Sequence, residues 1–106
     1  MSPASHDMAV AKISHLPHIL SYNLCSTVSK KDIKIAGSGF KDTTMIAKSE
    51  PRMWAEIFLQ NRKSLLRSIG DFEKSLSILK SFVIKNKKAH LIKRLNFAKA
   101  KRDSVG

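Results

Sequence analysis

Three observations predict an all-α fold. Apolar residues recur at helical spacing along most of the chain, no stretch alternates apolar with polar residues as a strand would, and Pro3 and Pro51 stand where helices begin. Ser2 reads as an N-cap with Pro3 in the first turn, and a helix follows to about Val28 on Ala9, Ile13, Leu16, Ile19, Leu20 and Leu24. Pro17 lies inside it, removing a backbone donor and kinking the first helix. Ser29 to Asp32 breaks the pattern, Ile33 to Gly39 reads as a loop, and Phe40 to about Ala47 as a short helix. Ser49 is the expected cap of the next helix, with Pro51 in its first turn. That long central helix carries a stripe of Trp54, Ile57, Phe58, Leu65, Ile69, Phe72, Leu76, Leu79 and Val83. Gly70 interrupts it at a cost of about 1 kcal/mol against alanine, so a bend is expected there. Asn86-Lys87-Lys88 turns the chain into a last amphipathic helix with Leu91, Ile92, Leu95 and Phe97.

A chain of 106 residues is enough for one small domain spanning 1–106. The stripe from Trp54 to Val83 is longer than so short a chain can cover alone, which predicts a homodimer. No apolar run is long enough for a transmembrane helix, and the N-terminus lacks the layout of a secretory signal. Cys25 is the single cysteine, a packing residue by position, and a reduced, cytoplasmic setting fits. The net charge is +12, and from Lys74 to Arg102 there is no acidic residue. Such a run reads first as a solvated helix face. The competing reading is a free-standing basic module that binds nucleic acid or a partner protein, although Phe97 alone gives no row of aromatics on which bases would stack.

The segment from His6 to His18 packs three histidines and Asp7 into thirteen residues. At about 100° per residue, His15 lies two turns and a fraction beyond His6, and His18 one turn beyond His15, so all three are expected on roughly one side. Histidine is both a switchable charge and a common metal ligand. Asp7 stands eight residues from His15 and no cysteine is near, so the spacing favours a buried helix or an anion site over a metal.

The strings His6-Asp7, Ser14-His15-Leu16-Pro17-His18, Gly37-Ser38-Gly39-Phe40-Lys41-Asp42-Thr43-Thr44-Met45-Ile46-Ala47 and Glu50-Pro51-Arg52-Met53-Trp54 resemble, in order and approximate spacing, the C-terminal helical dimerisation domain of the prephenate dehydrogenase family. The resemblance covers residues 1 to about 60 most specifically. It implies the substrate-binding and dimerising part of an NAD(P)-dependent oxidoreductase that oxidatively decarboxylates prephenate, or its amino analogue arogenate, in tyrosine biosynthesis. It places His18, and secondarily His15, at the substrate, with His6 orienting the pocket wall, Trp54 packing nearby, and tyrosine as a possible feedback ligand. Gly37 and Gly39 would allow close backbone approach or a positive φ, or else form an ordinary loop. Lys41 and Asp42 are expected to pair with each other. Met45 departs from the pattern, because the family carries there an arginine that holds a substrate carboxylate. Arg52, seven residues on, is the alternative cation, with Pro51 interrupting the helix between them. The chain contains no GxGxxG and no βαβ pattern, so NAD or NADP would be bound by a domain absent from it. No catalytic residue is expected in this chain, which by this reading is half of a split enzyme completed by a separate nucleotide-binding chain, or a truncated remnant.

Overall fold

The computed structural model describes residues 1–106, which form seven α-helices, one π-helical turn and one 3-10 turn, with no strand. The order is α1 (Pro3–Val10), the π turn (Ala11–His15), α2 (Leu16–Thr27), α3 (Lys30–Ile33), α4 (Ser38–Thr43), the 3-10 turn (Met45–Lys48), α5 (Pro51–Gln60), α6 (Arg62–Ile84) and α7 (Lys88–Asp103). No helix is long and apolar enough to cross a membrane. The chain groups into two compact units, Met1–Ile69 and Gly70–Gly106, with the boundary inside α6.

In the first unit, Ser2 caps α1 by accepting from the Ser5 amide, and the helix continues through the π turn into α2. The proline-induced irregularity takes the form of that widened turn: the Leu16 N–H donates to the Ala11 carbonyl, five residues back. In a regular helix the Pro17 ring would meet the Ile13 carbonyl, and the wider turn moves that carbonyl aside. The turn also lifts Ile13 out of the apolar stripe, leaving it 77% exposed instead of buried. Ala11 and Leu65 are the buried apolar residues. Side chain to backbone bonds reinforce this thin core: the Ser21 hydroxyl donates to the Thr43 carbonyl (3.2 Å) and the Tyr22 hydroxyl to that of Ser49 (2.8 Å). Both tie α2 to the segment that enters α5.

Four local expectations need correction. Ser29 starts a helix, α3, by accepting from the Asp32 amide, so the expected loop shrinks to the few residues before α4. The helix expected to Ala47 gives way after Thr43 to the 3-10 turn. Glu50, not Ser49, caps α5: its carboxylate accepts from the Met53 amide at 2.9 Å, while the Ser49 hydroxyl donates back to the Ile46 carbonyl. The central helix is broken at Asn61 (φ −114°, ψ 35°), not at Gly70, which sits within α6.

In the second unit, the C-terminal part of α6 and α7 form a helical hairpin. Asn86 takes the left-handed conformation (φ 53°). Its amide donates to the Val83 carbonyl and that of Lys87 to the Phe82 carbonyl, which satisfies the helix end in the manner of a Schellman motif. Arg94 donates to the Ser75 hydroxyl at 2.9 Å, and Phe82 and His90 lie 5.2 Å apart. Along α6 here, Leu76 (53% exposed) and Val83 (66%) remain uncovered on the apolar stripe.

Candidate functional site

Two histidines and a tryptophan form the most chemically distinctive cluster of the first unit. His18, on the first turn of α2, lies flat on the Trp54 indole with ring centroids 3.4 Å apart and planes 12° from parallel. His15, at the end of the π turn, meets the same indole edge-on at 6.2 Å. Phe58 flanks Trp54 one turn along α5, and Tyr22 meets Phe58 at 6.5 Å. The expected one-turn relation between His15 and His18 therefore brings both to one tryptophan.

The Nδ1 atom of His18 lies 2.9 Å from the Ser14 carbonyl. A carbonyl only accepts, so Nδ1 carries a proton and the Nε2 edge faces away from the helix backbone. His15 is 8% exposed. Burial, and after it the neighbouring His18, hold its pKa below the ordinary 6.5. The imidazolium of His15 is thus less favoured in the folded chain than in the unfolded one. Stability from this residue is complete above pH 6.5 and lost as pH falls through the lower folded value. The urea midpoint is accordingly expected to fall between about pH 7.5 and about pH 5, and His15→Gln to flatten part of that fall. An unchanged pH profile in the variant would show that His15 is not the titrating group.

Asn61, which drew no attention in the sequence, joins this cluster. Its side-chain amide donates to the Asp7 carbonyl (2.9 Å) and stands 3.4 Å from Nδ1 of His15. A cleft of about 300 Å³ opens on that side, lined by His6, Asp7, Val10, His15, Ile57 and Asn61 among others.

The remaining sequence candidates lie apart from the indole. His6 and His15 both line that cleft, the π turn between them shifting the regular spacing of about 100° per residue. His6 stays at the solvent edge of the cleft, 3.8 Å from the Asp7 carboxylate. Arg52 is exposed on α5, two residues and so about 200° from Trp54. Met45 opens the 3-10 turn, 61% exposed. Gly37 caps α4 and Gly39 lies within it; neither takes a positive φ, and a Cβ on either would meet nothing within 4 Å. Lys41 and Asp42 are exposed and unpaired, since adjacent residues on a helix point apart. No group of three or more His, Cys, Asp or Glu side chains is placed to hold a metal ion. Two imidazoles on an indole, with no carboxylate against either, suit an anionic group on an unsaturated or aromatic ligand.

The family described as "prephenate dehydrogenase, dimerization domain" matches residues 2–97. Among curated relatives, the cyclohexadienyl dehydrogenase of Zymomonas mobilis is 37% identical over 78% of this chain and 31% of its own length. The prephenate dehydrogenase of Bacillus subtilis is 30% identical over 99% of this chain and 30% of its own length. Similar solved structures include prephenate dehydrogenase from A. aeolicus in complex with hydroxyphenyl propionate and NAD+, with TM-score 0.91, 39% identity, and coverage of 100% of this chain and 39% of that one. Synechocystis arogenate dehydrogenase matches with TM-score 0.91 and 30% identity, over 100% of this chain and 41% of that one. The chain spans about a third of the length of these curated relatives.

Proposed function

Because the chain belongs to the prephenate dehydrogenase family, as its dimerization domain, we propose that it is the substrate-binding and dimerising part of a prephenate or arogenate dehydrogenase in tyrosine biosynthesis. The observation that carries this reading is His18 laid on Trp54 with His15 beside it. His18 offers Nε2 to a substrate carboxylate, as a charge-assisted donor when protonated, and His15 adds a second contact. The indole is the flat apolar surface beside them. The chain has no strand and no glycine-rich loop to cradle a pyrophosphate, so its residues do not fit NAD or NADP. We assign the dinucleotide, and the hydride transfer it supports, to a nucleotide-binding part on other residues or another chain. Tyrosine, with a flat unsaturated ring and a carboxylate, fits the same chemistry as a feedback ligand.

The test is a titration of prephenate against the chain supplied with a nucleotide-binding half. Saturable binding is expected, with His18→Ala weakening it about tenfold or more. Equal affinity in the two proteins would remove His18 from the substrate. The dimer has its own observation, the uncovered seam of Phe72, Leu76 and Val83 on α6. Sedimentation is expected to return a dimer at micromolar concentration, with a melting temperature that rises with concentration. A compact monomer with concentration-independent melting would overturn it.

A further inference from the structure

We infer that Asn61 is a positioning residue, which fixes the proton of His15 on Nε2 and so presents a neutral N–H donor beside His18. Three observations carry this. The Asp7 carbonyl can only accept, and Asn61 Nδ2 lies 2.9 Å from it, so the amide is oriented with its NH2 towards the cleft wall. The same Nδ2 stands a long 3.4 Å from His15 Nδ1, and because an amide nitrogen only donates, a hydrogen bond there requires Nδ1 to be the bare nitrogen. Finally, Asn61 occupies the break between α5 and α6, where its backbone leaves the helical conformation. Asparagine tolerates such a position, and the break lets one side chain reach α1 and the π turn together.

The two imidazoles are therefore held in opposite tautomers by different acceptors and donors. Ser14 puts the proton of His18 on Nδ1, and Asn61 puts that of His15 on Nε2. Burial disfavours a charge on His15, so its contribution to an anion is a hydrogen bond of fixed direction from the neutral ring. Resting on the carboxylate reading above, this makes Asn61 a determinant of how tightly the acid group is held without touching it. The tautomer itself does not depend on that reading.

Long-range proton–nitrogen correlation spectra of the full chain, labelled at histidine and recorded without ligand above about pH 7.5 where free imidazoles are neutral, test it directly. His15 is expected to show a protonated Nε2 and bare Nδ1, and His18 the reverse. In Asn61→Asp the carboxylate accepts where the amide donated, so the His15 pattern is expected to invert while that of His18 stays. Asn61→Ala should give a mixture at His15 only. With a nucleotide-binding half supplied, Asn61→Ala should also cost roughly two- to tenfold in prephenate affinity. A wild-type His15 protonated at Nδ1, or an unchanged pattern in Asn61→Asp, overturns the assignment. The wild-type spectrum decides even if a variant fails to fold. The expected tautomers without any prephenate binding would sink the functional reading and leave Asn61 in its role.

Discussion

Replacing Leu65 with alanine is expected to lower the melting temperature by roughly 8–40 °C. Leu65 is 4% exposed and shares with Ala11 the whole of the chain's buried apolar core. Truncating a buried leucine costs about 2–5 kcal/mol, and in a domain of this size each kcal/mol moves the transition by about 4–8 °C. Total stabilities of about 5–15 kcal/mol leave little margin. The neighbouring Leu66 is exposed, so Leu66→Ala is the internal control, expected within about 0.5 kcal/mol of the parent. Thermal scans at matched protein concentration separate the two. Equal melting of both variants would mean that the stability of the first unit comes from somewhere other than this contact.

Met45→Arg is expected to strengthen prephenate binding about ten- to over a hundredfold once a nucleotide-binding half is supplied, because a charge-assisted contact is typically worth about 1.5–3 kcal/mol. Prephenate has two carboxylates, and His18 with His15 serves one of them in the proposal above. Methionine at position 45 offers the other no charge. The side chain stands in the open at the start of the 3-10 turn, so the longer guanidinium enters without displacing packed neighbours. Arg52 is poorly placed to compensate, being turned about 200° from Trp54 on its helix. Titration of prephenate against the parent and the variant gives the answer. No gain from the arginine would mean that another cation already holds that carboxylate or that the pocket no longer binds it.

Much of the fold was legible because its signals are local. Pro3 and Pro51 each occupy the first turn of a helix, and Asn86 turns the chain between α6 and α7. The break at Asn61 was not legible, since the apolar period runs through it from Phe58 to Leu65 and asparagine carries only a mild helical penalty. The choice of Glu50 over Ser49 as cap was equally hidden, because either side chain can reach a free amide at that helix start. In the site, the spacing of His15 and His18 was enough to bring them together. Asn61 was missed for a physical reason: its partners lie 46 and 54 residues away, and only the packed chain brings them within reach. A polar residue set into an apolar stripe was the one available signal.

The π turn also sets a length. It holds one residue more than a regular helix spanning the same rise, and Asn61 grips the chain on both sides of it, at Asp7 and at His15. Removing a single residue between Lys12 and Ser14 would therefore close the turn into ordinary helix and leave α1 nearly in phase with His15, with the Asp7 carbonyl still within reach of the amide. What such a chain would lose is the room made for proline, because the Pro17 ring would then meet the carbonyl four places before it, now that of Lys12. The spare residue and the proline of the histidine string belong together, and a chain that lacks one is expected to lack the other.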